Sequence, residues 1–251
     1  LSATLVHGIL ICYSILALWP IFLVVSNSFK SRKGIFNDPM AVPTAETFST
    51  IGFDKVLGRS NFDVYFLNSI TVTVMTLGIT LLIGAMAAWA LAGYKYRLNT
   101  LLAFYLAIGI MVPIRLGTVS ILKLVVAMGL MNSLTALILV YIAMSLPLTI
   151  FILNEFMQQI PNDLKEAARC DGVSEYRIFF QIILPLTKPA IATVGVFAMV
   201  PVWNDLWFPL ILTADDSVRT VTLGVQQFVG QYVTDWNSVL ASLTLAIVPV
   251  F

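Results

Sequence analysis

Asp205 is the only acidic residue well inside an apolar stretch of this chain, in the run Pro201-Val202-Trp203-Asn204-Asp205-Leu206-Trp207. A carboxylate in hydrocarbon is costly, so it normally faces the bundle interior or a water-filled path. Beside it stand an amide, Asn204, and an indole, Trp203. Sugar rings stack on aromatics, and their hydroxyls exchange hydrogen bonds with amides and carboxylates. Trp203, Asn204 and Asp205 are therefore the candidate lining of a solute path. The alternative is that the apolar helix ends early and leaves Asp205 at the interface. A second polar island, Pro161 to Pro185, reads PNDLKEAARCDGVSEYRIFFQIILP and separates two very apolar regions. It suits docking rather than catalysis: Ala167 and Ala168 are small enough for a partner to approach the backbone, and Glu166 offers a carboxylate. A third polar segment, 214–238, carries Gln226, Gln227, Phe228, Gln231, Tyr232 and Trp236, amphipathic side chains common at protein interfaces.

Other chemistry is missing. There is no G-x-x-x-x-G-K-[ST] phosphate loop, no G-x-S-x-G elbow and no H-E-x-x-H helix. Cys12 lies in an apolar run and Cys170 in the polar island, too differently placed to pair, and no Cys/His cluster suggests a metal. The single His7 opens an apolar run, where it reads as packed or interfacial. Net charge is +1, which gives no support to nucleic-acid binding. No pair of carboxylates within the apolar segments suggests a proton relay or a sodium site.

The elements that must position these residues are membrane helices. Of 251 residues, 59% are hydrophobic and 11% charged, against about 25% charged in soluble domains. No polar block is long enough for a second domain, so residues 1–251 are expected to form one transmembrane domain. Apolar runs read as membrane spans begin about Leu5, Val64, Leu101, Leu134 and Pro189, and end about Val25, Ala92, Val112, Leu153 and Leu212. A sixth starts near Val239, and its thirteen remaining residues reach only about 20 Å. Both ends of the polypeptide are therefore expected to continue, and the first residues lack the charged region and cleavage site of a signal peptide. Residues 26–63 read as a polar loop, and 114–131 as a short interfacial helix with Arg115 and Lys123 exposed. Gly78, Gly84, Ala85, Ala87 and Ala88 form a small-residue face of the second span, suited to close helix approach in lipid. Pro147 is expected to kink the fourth span, and Pro20 the end of the first. The fold class is an all-α polytopic bundle of about six spans.

Within the polar island, Leu164, Ala167 and Ala168 fall at i, i+3 and i+4, one face of a short helix. Pro161 suits its first turn. Gly172 falls where the helix must stop in a left-handed C-cap. Ser174 is placed to cap a second helix with an apolar face of Ile178, Phe179, Ile182 and Ile183. The element reads as a helix–turn–helix knob outside the membrane, tied at both ends to spans.

Glu166-Ala167-Ala168, then Gly172, Ile182 and Leu184-Pro185, resembles the EAA signature of permease subunits of bacterial ABC importers. The match lies between the fourth and fifth spans, as in that family, and the likeness extends over nearly the whole chain. Trp203-Asn204-Asp205 with Pro209-Leu210, and Val221-Thr222-Leu223-Gly224-Val225-Gln226-Gln227, are similar to the fifth span and last outer loop of the maltose-type carbohydrate-uptake group. The resemblance implies that residues 161–185 form a cytoplasmic coupling loop, with Leu164, Glu166, Ala167, Ala168, Asp171 and Gly172 engaging an ATPase. It implies that Phe228, Gln231, Tyr232 and Trp236 meet an external solute-binding protein. The expected partners are a second permease in a heterodimer and two ATPases that hold the ATP and magnesium, leaving this chain without a cofactor. The expected place is the bacterial inner membrane. Counting loop Lys and Arg does not favour the knob-inside orientation, which rests on the resemblance. The other functional class open to this sequence is an ion-coupled carrier or channel, with Asp205 and Pro147 at a broken-helix site; it leaves the knob unexplained.

Overall fold

The computed structural model describes residues 3–94, 96–230 and 234–250. Among these the only extended pairings are two isolated antiparallel bridges, Lys30 with Phe48 and Val229 with Thr234; the rest of the regular structure is helical. The chain divides into two compact units, residues 1–67 with 219–251, and residues 68–218.

The first unit holds α1 (Ala3–Ser28), α2 (Arg32–Asn37), α3 (Ile51–Arg59), the start of α4 (Phe62–Gly93), α12 (Val221–Gln226) and α13 (Trp236–Ile247). The expected 26–63 loop thus contains two helices. Ser31 starts α2 by accepting a hydrogen bond from the Gly34 backbone N–H. The buried Lys30 ammonium donates to the Asn27 side chain and the Asp38 carbonyl, closing the turn between α1 and α2. Val56, Phe62, Tyr65, Val221, Val239 and Ala241 form this unit's core.

The second unit holds most of α4, then α5 (Asn99–Met111), a 3-10 turn (Ile114–Gly117), α6 (Thr118–Ala127), α7 (Leu134–Gln158), α8 (Asn162–Cys170), α9 (Glu175–Leu186), α10 (Lys188–Asn204) and α11 (Trp207–Leu212). The small-residue face of α4 is buried as expected: Ala85 and Ala88 are fully enclosed. A Cβ added at Gly84 would lie 2.5 Å from Thr149 Cγ2, so α4 and α7 approach more closely there than any side chain permits. Gly78, counted in the same face, looks onto open space. Ser133 caps α7, its hydroxyl accepting from Ala136 N–H at 3.2 Å.

Among the described residues three helices, α1, α4 and α7, are long and apolar enough to cross a membrane unbroken. The other expected spans are interrupted. α5 and the 114–127 segment meet at 86°, and α9 and α10 meet at 74°. The expected fifth span, residues 189–212, is itself cut between Asn204 and Trp207. Pro113 and Pro201 lie at or near two of these interruptions, where a missing N–H weakens the backbone ladder. α7 nevertheless remains one helix through Pro147, and α1 through Pro20. The sixth apolar segment is the short helix Trp236–Val250.

Candidate functional site

The knob has the helix–turn–helix form that its sequence suggests, with one face reassigned. Pro161 precedes α8 with φ −54°, and the helix stops at Gly172, whose φ of +75° lies in the left-handed region. Val173 N–H bonds the Ala168 carbonyl and Asp171 N–H the Ala167 carbonyl, each at 3.0 Å, so the last turn is satisfied by backbone alone. Of Leu164, Ala167 and Ala168, only Ala168 is buried. Ala168 points inward with Lys165, while Leu164, Glu166, Ala167 and Asp171 are exposed. The inward face is completed by a charged residue. The Lys165 stem is buried against α4, and its ammonium lies 5.4 Å from the centre of the Trp89 ring. Its head group also donates to Asn162 Oδ1 at 3.2 Å. Burial, and next the charge of Arg169, lower its pKa from the usual lysine value.

Ser174 stands at the start of α9 but makes no side-chain cap bond. Glu175, one residue on, organises the turn instead. Its carboxylate accepts Arg169 Nε at 2.7 Å and Nη2 at 3.3 Å, and also the Tyr94 hydroxyl at 2.8 Å. Arg169, and secondarily Tyr94, hold the Glu175 carboxyl below the usual carboxylate range. Burial, and then Glu175, push the Tyr94 hydroxyl upward. α9 is not a uniform α-helix. Residues Phe179–Ile183 form a π turn closed by Leu184 N–H on the Phe179 carbonyl. Pro185 has no N–H to return to residue 181, which favours the wider turn. Ile178, Phe179 and Ile183 pack with Ala168 against Trp89, Leu153 and Met157, seating the knob on the ends of α4 and α7; Ile182 is half-buried.

The second candidate region is the break between α10 and α11. A cavity of about 310 Å³ is lined there by Arg115, Tyr141, Ser145, Asn204 and Asp205, with apolar residues around them. Asn204 and Asp205 therefore reach it. Trp203 does not: it is buried at 4% exposure and is not part of the lining. Asp205 is not isolated. Its carboxylate accepts the Tyr141 hydroxyl at 2.8 Å, Phe208 N–H at 3.0 Å and Trp207 N–H at 3.3 Å, so it caps α11 and ties the break to α7. Sequence reasoning missed Tyr141, Ser145 and Trp207. Trp207 donates from Nε1 to Thr118 Oγ1 at 3.0 Å and lies beneath the Arg115 guanidinium, 5.7 Å from the ring centre. A repeated Trp-x-x-x-Trp in a helix broken by two prolines was the available signal; the partners on α6 and α7 had none.

In the other unit, Phe228 is half-buried against the local core, and its carbonyl accepts Asp235 N–H at 3.0 Å. Trp236 is exposed and meets Phe36 edge-on. Gln231 and Tyr232 lie outside the described residues. Asp235, unremarked in the sequence, bonds Lys55 at 2.7 Å and Ser238 at 3.0 Å, anchoring the start of α13 to α3. Burial raises its pKa, but those bonds outweigh it and the carboxyl stays below the usual range.

Interrupted apolar helices with a polar helical knob packed on their ends are the build of a multi-pass membrane protein. The family of binding-protein-dependent transport system inner membrane components matches residues 80–251, and this chain belongs to it. It is thus a permease subunit of an ABC importer in the inner membrane. It is 32% identical to the diacetylchitobiose uptake system permease protein of Streptomyces coelicolor, over 99% of this chain and 82% of that one. It is 30% identical to the melibiose/raffinose/stachyose import permease protein of Bacillus subtilis, over 98% and 87%. The crystal structure of a bacterial ABC transporter that imports the acidic polysaccharide alginate superposes with a TM-score of 0.82 at 21% identity, covering 98% of this chain and 92% of that one.

Proposed function

We propose that this permease moves a sugar, oligosaccharide or glycoside, drawing its energy from ATP hydrolysed on separate subunits. It pairs with a second, different permease, receives solute from an external binding protein, and engages two ATPases that carry the nucleotide and magnesium. The carbohydrate cargo is supported by the names of the relatives at about one-third identity. The observation that carries the energy-coupling role is the two-sidedness of α8: Lys165 and Ala168 are buried on the spans, while Leu164, Glu166, Ala167 and Asp171 are exposed. A short helix fixed on one side and bare on the other is suited to receive a partner. Gly172 aims it.

Asn204 and Asp205 line the solute path in this reading, with Asp205 holding the break open in a defined shape and Asn204 exposed to the cargo. Trp203 supports that wall from behind. Phe228 to Trp236 meet the loaded binding protein.

The test is reconstitution of the complete importer in vesicles with candidate glycosides. Uptake that requires the ATPases, the binding protein and external glycoside is the expected result. Uptake driven by an ion gradient without nucleotide would overturn it.

A further inference from the structure

The coupling role proposed above leaves open which spans receive the movement of the loop. Chain connectivity delivers it to α10, which follows α9 through the 74° bend at Thr187. The side chains make a second connection. Glu175 joins three elements at once: it holds Arg169 at the end of α8 and the hydroxyl of Tyr94 just past the end of α4. Tyr94 is itself fixed. Its ring meets Trp89 edge-on at 6.3 Å, and its carbonyl accepts the side-chain amide of Asn99 at the start of α5 at 2.6 Å. One turn back along α4, Trp89 carries the Lys165 ammonium of α8 on its ring. The two contacts leave α8 one turn apart, at Lys165 and Arg169, and both lead to the same end of α4.

Burial supports a mechanical reading. Lys165 is 3% exposed and Trp89 6%, in a loop whose other charged residues are mostly exposed. Placing a lysine inward on a nine-residue helix costs desolvation that an alanine would avoid. A cation over an aromatic face returns part of that cost and has directional preference, so it fixes how α8 lies on α4. The Arg169–Glu175 pair is half-exposed and adds little stability as an ion pair. Its two-point geometry, extended to the Tyr94 hydroxyl, constrains orientation instead.

We propose that Glu175 and Lys165 are positioning residues that clamp the coupling loop to the end of α4, so that nucleotide-driven movement of α8 displaces α4 together with α10. The clamp rests on the coupling role of α8, and the experiment separates the two. Tyr94→Phe removes one oxygen and keeps the ring. Glu175→Gln keeps size and removes the charge. Each is reconstituted with the ATPases and binding protein, beside Ala167→Trp on the outward face. ATPase retention, ATP turnover, and solute moved per ATP are measured.

The clamp predicts that Tyr94→Phe and Glu175→Gln retain the ATPases and hydrolyse ATP within about twofold of the parent, while solute moved per ATP falls about two- to tenfold. The double variant should be no worse than the poorer single variant, since both break one connection. An unchanged transport ratio in Tyr94→Phe overturns the clamp, and that variant alone decides if Glu175→Gln fails to assemble. Loss of the ATPases in Tyr94→Phe also overturns it, because the contact would then be part of the docking surface. Full ATPase retention in Ala167→Trp would instead strike the coupling role of α8.

Discussion

The helix–turn–helix knob and the break in the fifth apolar segment are both short, polar and interrupted by proline, yet they are held in different ways. The knob stops its first helix on its own backbone at Gly172, and side chains then tie it to its sequence neighbour Arg169 and to the distant Tyr94 and Trp89. The break combines two local backbone bonds to Asp205 with bonds from afar. Tyr141 is 64 residues from Asp205, and Thr118 is 89 residues from Trp207. In the knob the backbone stop at Gly172 and the side-chain ties are separate, so each can be changed singly. In the break one carboxylate serves three donors, so a single change disturbs several elements.

The largest expected effect is at that junction. Asp205→Ala strands the buried Tyr141 hydroxyl, at about 1–3 kcal/mol, and removes the cap of α11, at about 1 kcal/mol. Thermal unfolding of the purified permease should drop, and uptake should fall with it. Asp205→Asn, which keeps an acceptor, should lose less. If Asp205→Ala unfolds like the parent, the junction is not organised as described.

Gly172→Val comes next. A β-branched residue at φ +75° costs about 1–2 kcal/mol. Because nothing lies within 4 Å of an added Cβ, the penalty is conformational rather than steric. The variant should insert normally and lose solute-stimulated ATP hydrolysis, whereas Gly172→Asn, which tolerates the left-handed region, should keep most of it. Equal losses in the two would show crowding by a partner instead.

Tyr141→Phe sharpens the contrast, because it removes one bond and leaves Asp205 both backbone donors. Hydrogen bonds between spans average about 0.6 kcal/mol, so its unfolding shift should be a small part of that for Asp205→Ala. A shift of equal size would mean that the caps contribute nothing.

These differences mark what the sequence could disclose. Gly172, the boundaries of α8 and the close-packed face of α4 follow from local conformation and from residue size, and they were legible. The all-α polytopic expectation holds, with three unbroken spans and two bent pairs among the described residues, but the breaks at 112–114 and 204–207 were only hinted at by proline. The inward place of Lys165 on α8 was not legible because a buried lysine defeats a search for apolar spacing; its partner, Trp89, lies 76 residues away. Trp203 was misplaced for a related reason: a tryptophan next to polar groups can face either way around a helix, and packing decided.

The smallest effects are electrostatic. Glu166→Ala removes an exposed carboxylate, whose pairing is worth under about 1 kcal/mol, and should weaken ATPase binding only slightly in a salt titration. Glu175 has a lowered folded pKa, so its contribution is complete above the ordinary carboxylate range and is lost only as pH falls through the lowered value. Hydrogen exchange of α8 should therefore be insensitive to protonation of Glu175 at neutral pH, after correction for intrinsic exchange, and should lose protection in acid. Glu175→Gln should remove that acid step.

The most direct test of the account is retention of the ATPases by complexes carrying Ala167→Trp on the outward face of α8, compared with Ala→Trp at exposed Ala103 on α5. The account predicts that the Ala167 variant inserts but loses the ATPases and solute-stimulated hydrolysis, while the Ala103 variant keeps both. Full retention and normal coupling with tryptophan at residue 167 would contradict it.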